Sequence, residues 1–162
     1  MSFVRALRTP LFTSALCKSA NRAPIYSFAR KMSSINYIST DKAAGALGHY
    51  SQAIRTGNQV YLSGQLGIKP GSKELVSDDI TEQTEQALEN LKAVLEASGS
   101  SIENVVKTTV FLSDINDFVK MNTVYEQKFG SHKPARSAFE VANLPKAAKV
   151  EIECIANAIN TQ

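Results

Sequence analysis

Apolar residues three or four positions apart predict two amphipathic helices, each with one buried face. The first follows Asp79-Ile80-Thr81-Glu82, where an acid at the cap and a glutamate in the first turn form a capping box, and it stops before Gly99. The second begins near Asn116 and ends at Gly130. The apolar positions are Ala87, Leu88, Leu91, Val94 and Leu95 in the first helix, and Phe118, Met121, Tyr125 and Phe129 in the second.

Shorter apolar stretches, β-branched or alternating with polar residues, predict strands. Residues 35–38 predict an edge strand, and residues 51–55 and 59–63 flank Thr56-Gly57-Asn58 as a β-hairpin. Residues 105–112 predict a further strand, and two short strands surround Arg136 and Glu151 on either side of a Leu144-Pro145-Lys146 break. The predicted order is therefore β-β-β-α-β-α-β-β.

This order of elements predicts an α+β fold in which both helices pack on one face of a single sheet. At 162 residues the chain suits one domain with a proper core. The opposite face of the sheet needs cover, which other subunits of a homo-oligomer would provide. No run of apolar residues reaches the roughly 18 that a membrane-spanning helix needs, so we expect no membrane insertion.

The net charge of +3 is unevenly distributed along the chain. Six of the 18 basic residues and none of the acids lie in residues 1–40, which leaves 12 basic against 15 acidic residues, or −3, for the remainder. A domain that binds nucleic acid would need its basic residues clustered on one face, so nucleic acid is not the expected partner. The two cysteines, Cys17 and Cys154, form no metal-ligand cluster, and no nucleotide-binding fingerprint is present, so we predict neither a metal nor a cofactor.

The basic segment 1–32 is rich in arginine, serine and threonine and free of acids, which is typical of a mitochondrial transit peptide. The alternative is a basic arm that binds nucleic acid or a membrane. Arg30-Lys31-Met32 is a candidate processing site, and Met32 is also a candidate second start that would give a cytosolic form. We therefore expect a targeting segment over residues 1–32, a folded domain over residues 33–162, and a location in the mitochondrial matrix.

Arg136 and Glu151 are the candidate catalytic pair. Arginine is the side chain best shaped to hold a substrate carboxylate with two parallel hydrogen bonds, and a nearby carboxylate can activate a water. Two strands joined by a turn would bring the pair into one pocket. The spacing alone favours the alternative of two exposed charges on the outer face of a hairpin, since charged residues are mostly exposed.

Four ordered motifs give these two residues a context. They are Gly48-His49-Tyr50-Ser51-Gln52-Ala53, residues 60–65 (VYLSGQ), residues 106–118 (VKTTV followed by DINDF) and residues 134–153, which hold the pair. Over residues 35–159 the chain resembles the RidA/YjgF (Rid) family of imine deaminases. The resemblance implies a chorismate-mutase-like (YjgF) fold with one mixed sheet, and a homotrimer with a site in each cleft between subunits.

The resemblance also implies a small 2-imino acid or its enamine tautomer as substrate, which would be hydrolysed to a 2-oxo acid and ammonia. Arg136 would hold the substrate carboxylate, and Glu151 would orient and activate the attacking water. Tyr50, Ser63, Gly64 and Asn116 would be further pocket residues. Residues 63–64 are expected at the end of a strand. Asn116 precedes the second helix, and its residue type favours a helix N-cap as the alternative or additional role.

Two positions depart from the family pattern. His49 stands where many members have proline, and Ala138 stands where many have cysteine. A thiol is therefore absent at position 138, and any contribution of Ala138 to substrate binding comes from its backbone. Cys154 alternates with apolar residues and predicts a buried structural thiol, while His49 and His132 lie in loops.

Two other functions compete with the enzyme. A non-catalytic protein that binds a 2-oxo acid or an amino-acid-derived ligand needs only the arginine. A ribonuclease or translation inhibitor, an activity attributed to some relatives, would use histidines or lysines in a basic groove, for which a body of net charge −3 gives little support.

Overall fold

The structure is a computed structural model that describes residues 34–159. The predicted order of strands and helices is confirmed. The strands are β1 (Ile35–Ile38), β2 (Ala53–Thr56), β3 (Gln59–Leu66), β4 (Val105–Leu112), β5 (Ala135–Glu140) and β6 (Val150–Asn157), and the helices are α1 (Ile80–Ala97) and α2 (Phe118–Phe129). The predicted transit peptide lies outside the described residues, as does Cys17.

All six strands form one mixed sheet in the order β1-β2-β3-β6-β4-β5. β4 and β5 run parallel and every other pair is antiparallel. The strands that carry Arg136 and Glu151 do not pair with each other, because β4 lies between β5 and β6. The simple hairpin that would have joined the two residues is therefore not formed.

Both helices cover the same face of the sheet. The alternation along β6 shows why, since Val150, Ile152 and Cys154 point into the core shared with the helices, whereas the intervening residues are half-buried on the other face. Full burial of each large apolar side chain, such as Leu91 on α1, contributes about 1.5–3 kcal/mol of transfer free energy. Burial raises the pKa of the Cys154 thiol to about 12, which confirms a structural thiol.

The ends of α1 follow the sequence signals with one difference. The Asp79 side chain accepts hydrogen bonds from the backbone N–H groups of Thr81 and Glu82 at 2.8 and 3.1 Å. Glu82 does not close the predicted capping box, because the N–H of Asp79 is taken by the Ser77 hydroxyl at 3.1 Å. Gly99 has a φ of +71° just past the helix, where glycine adopts the left-handed conformation without strain.

Two buried amides of α1 fix the chain around the end of β3. The Asn90 amide nitrogen donates to the carbonyls of Leu66 and Ile68 at 3.0 and 2.7 Å. The Gln83 amide donates to a carbonyl in the preceding loop, and its oxygen accepts the N–H of Lys149 at 2.8 Å, just before β6. A buried carbonyl or N–H without a partner costs about 1–3 kcal/mol, so these side chains hold the ends of β3 and β6 in place.

Neither of the two helices within residues 34–159 combines the length and the hydropathy that a membrane-spanning segment requires.

Candidate active site

Four of the residues predicted for the site line one cleft. Tyr50, Ser63, Gly64 and Glu151 surround a cavity of about 420 Å³ beside the end of β3, which we call the carboxylate cleft. Its other walls come from the loop 44–48 and from Pro145. The cleft therefore brings together three segments that are far apart in sequence.

A break in the pairing of β3 with β6 creates the floor of this cleft. The register shifts between Leu62 and Gln65, so Ser63 and Gly64 lie in an irregular stretch inside β3 and not at its end, as the sequence had suggested. The Glu151 side chain lies across Gly64. A Cβ at position 64 would come within 2.6 Å of the Glu151 carboxyl carbon, which is closer than real Cβ atoms approach other atoms. Glycine at position 64 is thus a requirement of the Glu151 conformation.

Glu151 is a carboxylate with raised proton affinity. Partial burial raises the pKa of its carboxyl group, and the like charge of Glu153, on the same face of β6, raises it further. Within residues 34–159, no cation pairs with Glu151 and no donor hydrogen-bonds to it. Its oxygens are therefore available to a water or a substrate in the cleft.

The wall that carries Tyr50 is anchored by two polar side chains. The buried amide of Gln52 donates to the carbonyls of Thr40 and Ala44 at 3.0 and 2.8 Å and accepts the N–H of Thr40 at 2.6 Å. The Ser63 hydroxyl donates to the Ser51 carbonyl at 2.7 Å. The hydroxyl proton of Ser63 is thus used to hold the wall, while the Tyr50 ring remains exposed at the mouth of the cleft.

Arg136 lies elsewhere, on the helix side of the strand β5. Its guanidinium stands over the ring of Tyr125 at 4.7 Å from the centroid, and one of its N–H groups donates to Asn122 Oδ1 at 2.8 Å. Phe118 contributes a second ring at 5.4 Å. No carboxylate of residues 34–159 forms an ion pair with Arg136, so most of its donors remain available to an incoming anion. We call Arg136, together with Phe118, Asn122 and Tyr125 of α2, the arginine edge.

Ala138 and Asn116 do not line the carboxylate cleft. Ala138 lies two residues after Arg136 on β5 and packs its methyl group against the core. Asn116 is exposed in a 3-10 turn, Ile115–Asp117, before α2. The N-cap role favoured for Asn116 is wrong, because the Asp114 side chain caps that turn by accepting the N–H of Asn116 at 2.8 Å, and α2 itself begins at Phe118.

The pleat of the sheet places Arg136 and Glu151 on opposite faces within one chain. Arg136 pairs in register with Thr108, which is buried under α2, whereas Glu151 pairs with Phe111, whose ring contacts Phe139 on the other face at 5.4 Å. The carboxylate cleft and the arginine edge therefore lie on different faces of one copy of the chain, and we call them the two candidate half-sites.

Sequence reasoning missed the residues that support each half-site. Asn122 lies in a segment whose pattern indicates only a helix, Gln52 lies in a family motif that gives it no role of its own, and the spacing of Tyr125 predicts only a place in the helix core. No signal in the sequence indicated that the Tyr125 ring also faces Arg136. In the part of the chain that the structure describes, no three His, Cys, Asp or Glu side chains group closely enough to hold a metal ion.

The close approach of Gly64 and Glu151 leads to a first prediction. A Gly64→Ala variant is expected to push the Glu151 carboxylate out of its half-buried position, which lowers the pKa of that carboxyl group toward the range of an exposed glutamate. Titration of the side chain by carboxyl-carbon NMR measures the change. Gly45→Ala is the matched control, since a Cβ there meets nothing within 4 Å, and an unchanged Glu151 titration in Gly64→Ala would contradict the assigned packing.

Comparison with known proteins places this geometry in a family. The sequence profile of the family described as Endoribonuclease L-PSP matches residues 40–158. The human protein named 2-iminobutanoate/2-iminopropanoate deaminase is 51% identical over 119 residues, which cover 74% of this chain and 87% of that protein. The Arabidopsis thaliana protein named Reactive Intermediate Deaminase A, chloroplastic, is 43% identical over 166 aligned positions, which cover 94% of this chain and 89% of that protein.

A solved structure confirms the predicted fold class. The crystal structure of E. coli TdcF with bound serine superposes with a TM-score of 0.73 at 42% identity, and the match covers 76% of this chain and 99% of TdcF. The profile, the identities and the shared fold lead to one conclusion: the chain belongs to the endoribonuclease L-PSP family, which is the Rid (RidA/YjgF) family that its motifs resemble.

Proposed function

We propose that the protein hydrolyses reactive 2-imino acids, such as 2-iminobutanoate and 2-iminopropanoate, to 2-oxo acids and ammonia. The observation that carries the proposal is the pair of half-sites: a guanidinium with free donors, and a half-buried carboxylate with a raised pKa that no cation of residues 34–159 pairs with. Relatives with about half of their aligned residues identical to this chain are named for this reaction, which supports the same assignment.

The two groups divide the chemistry between them. The guanidinium of Arg136 holds the substrate carboxylate through paired hydrogen bonds and so fixes the adjacent C=N carbon. The Glu151 carboxylate accepts a proton from water as the water oxygen attacks that carbon. Glu151 returns this proton to the nitrogen, which gives a tetrahedral intermediate with a hydroxyl and an amino group. The hydroxyl proton then passes to the amino group as the C=O bond forms, the C–N bond breaks and ammonia leaves. One water is consumed and a C=O group replaces the C=NH group.

The placement of the half-sites on opposite faces calls for a site shared between copies of the chain, and we propose a homotrimer as the assembly. The arginine edge of one copy would meet the carboxylate cleft of the next. Apolar side chains that remain exposed on the outer face and edges of the sheet support this, since association would bury them. They include Tyr61, Val106 and Phe139.

The enzyme would act beside pyridoxal-phosphate enzymes that release 2-imino acids from threonine or serine. Removal of the imines would protect those enzymes, and the 2-oxobutanoate formed would supply isoleucine synthesis. The basic, acid-free composition of residues 1–32 supports a place in the mitochondrial matrix, where the enzyme would contribute to mitochondrial maintenance. A cytosolic form would start at Met32.

A ligand-binding protein without catalysis is the second candidate, because a solved relative, E. coli TdcF, holds serine. The two candidates differ in what they require of Glu151. A sensor binds a 2-oxo acid through Arg136 and tolerates Glu151→Gln, whereas an enzyme loses turnover in that variant and keeps binding. The RNA cleavage suggested by the family description gains little from this chain, whose residues 34–159 carry a net charge of −3.

Mixing two inactive variants tests the shared site. Purified residues 33–162 are added to threonine dehydratase, and imine loss is followed by semicarbazone trapping. Arg136→Ala and Glu151→Gln are each expected to lose the activity. When the two variants are unfolded together in equal amounts and refolded, about one quarter of the wild-type activity is expected, because each site then draws its arginine and its glutamate independently from two copies.

A mixture that stays inactive, with its trimers intact by light scattering, would contradict the shared site. Each variant refolded alone serves as the control. Wild-type protein that leaves the rate of imine loss unchanged would contradict the deaminase assignment itself.

The raised pKa of Glu151 sets the pH dependence of both activity and stability. The value of kcat/KM is expected to fall as the pH drops through this raised pKa, so the acidic limb lies above the ordinary glutamate range. Glu153→Gln removes the neighbouring like charge and is expected to shift the limb to lower pH. An identical limb in Glu153→Gln and the wild type would contradict the role of Glu151 as the titrating base.

The stability of the fold should decrease over the pH range in which the activity increases. A pKa that is higher in the folded than in the unfolded chain means that the folded chain binds the proton more tightly, so ionisation of Glu151 destabilises the fold as the pH rises between the two values. Glu151→Gln is therefore expected to have a higher Tm than the wild type at pH 7, with the difference vanishing below the unfolded pKa. Thermal denaturation at several pH values measures this.

The proposed targeting segment, residues 1–32, gives a separate prediction. Residues 1–32 fused to a fluorescent protein are expected to direct it to mitochondria, and replacement of Arg5, Arg8 and Arg22 with glutamine should leave it in the cytosol, because import depends on the basic residues. Met32→Leu in the full chain should remove any cytosolic form that starts there. Mitochondrial import of the glutamine variant at the unaltered level would contradict the assignment.

A further inference from the structure

The irregular stretch inside β3 contains one residue more than the strand beside it. Leu62 pairs with Cys154, and the pairing resumes where Gln65 meets Ile152. Two residues of β3 therefore stand opposite the single residue Glu153 of β6. This is the arrangement of a β-bulge, which disrupts the ladder and bends the bulged strand. The backbone groups of the bulge consequently need hydrogen-bond partners other than those of a regular ladder.

The polar groups of Ser63, the first residue of the bulge, have such partners. Its N–H donates to the Gln52 carbonyl at 3.1 Å, and its hydroxyl donates to the Ser51 carbonyl at 2.7 Å. Its carbonyl accepts a hydrogen bond from the side-chain amide of Gln65 at 3.0 Å. The first two contacts tie Ser63 to the chain before β2, and the third sets the direction of the carbonyl that begins the peptide between residues 63 and 64.

The second residue of the bulge, Gly64, is poorly suited to hold this peptide in place by itself. Glycine is required here, because any Cβ would overlap the Glu151 side chain. Glycine is also the residue with the widest range of backbone conformations. Since a peptide group is planar, a fixed direction of the Ser63 carbonyl fixes the whole plane that leads into Gly64. The hydrogen bond from Gln65 thus supplies the restraint that the glycine lacks.

Gln65 acts from the core side of the sheet. It lies in register with the fully buried Ile152, and its own side chain is only 5% exposed, whereas Leu66 is the residue in register with Glu151. A buried amide is unfavourable unless it is hydrogen-bonded, and an aliphatic side chain would fill a core position without that cost. The carbonyl of Ser63 is the group that accounts for an amide at this position.

We infer that Gln65 is a positioning residue that fixes the bulge of β3 and thereby the floor on which the Glu151 carboxylate rests. The inference rests on the proposed function, because it takes Glu151 to be the group that activates water. It adds a residue that acts on the carboxylate through the backbone of Ser63 and Gly64, from the opposite face of the sheet.

Gln65→Met tests the inference, because it keeps a long buried side chain and removes the N–H donor. The peptide can then rotate, and the Glu151 carboxylate is expected to leave its half-buried position. In the coupled imine assay kcat is expected to fall about fivefold. KM should stay within about twofold of the wild type, since Arg136 is unaltered.

The pH dependence gives a second measurement on the same variant. The acidic limb of kcat/KM and the titration of Glu151 by carboxyl-carbon NMR should both move to lower pH. No charge changes in this variant: the neighbouring Glu153 is retained, and the residues in register with Glu151 on the adjacent strands, Leu66 and Phe111, are uncharged. A shift would therefore report the position of the carboxylate.

Gln59→Met is the matched control, since it makes the same substitution at the exposed start of β3. It is expected to keep the wild-type kcat and Glu151 titration, and Gln65→Met values equal to those of Gln59→Met would overturn the inference.

A measurement on the wild-type protein does not depend on the folding of any variant. The side-chain amide protons of Gln65 are expected to exchange with solvent about tenfold more slowly than those of Gln59, and equal exchange rates would overturn the inference. Wild-type protein that fails to hydrolyse imines would overturn the proposed enzyme, and the Glu151 titrations would still decide the role of Gln65.

Discussion

The alternation of side chains across the pleated sheet is the constraint on which the site depends. On β6 the pleat sends Val150 and Ile152 into the core beneath the helices and leaves Glu151 on the opposite face. On the edge strand β5 the same alternation, together with the contacts to α2, places Arg136 on the helix side. A fold that builds its core in this way separates the guanidinium from the carboxylate. Chemistry that needs both groups therefore needs a second copy of the chain.

The carboxylate cleft illustrates how a site departs from the best packing of a sheet. A regular β3 would continue its ladder with β6 and carry a side chain at position 64. The register shift and the glycine instead make room for a half-buried carboxylate that forms no ion pair within the described part of the chain. This arrangement is unfavourable for the ionised side chain, as the raised pKa of Glu151 indicates. A raised carboxyl pKa of this kind is common among carboxylates that act as general bases. The amides of Asn90 and Gln83 and the amide of Gln52 hold the surrounding chain in place.

The arginine edge likewise holds a charged group without a partner of opposite charge among the described residues. An exposed arginine commonly finds a carboxylate on its own chain, and such a pair would compete with any anionic ligand. Here the neighbours are aromatic rings and an amide oxygen, so the guanidinium is ordered while its charge remains available. Rigid placement of a binding group reduces the conformational entropy that is lost when the ligand binds. The guanidinium is thus held in place by contacts within a single copy of the chain.

The sequence by itself determined the local elements of this protein: the helix spacing, the Asp79 cap, the Gly99 stop and the alternation along β6 are all carried by residues close together in the chain. Its motifs also identified the family and the four residues of the carboxylate cleft. Only the tertiary structure decided that β4 separates β5 from β6, that Ser63 and Gly64 lie at a register shift, that Asp114 caps the turn before α2, and that Tyr125 faces Arg136. These features depend on which distant strands pair and on which side chains meet across the core. Local periodicity carries no information about either, because it records only which face of an element is buried and not what covers that face.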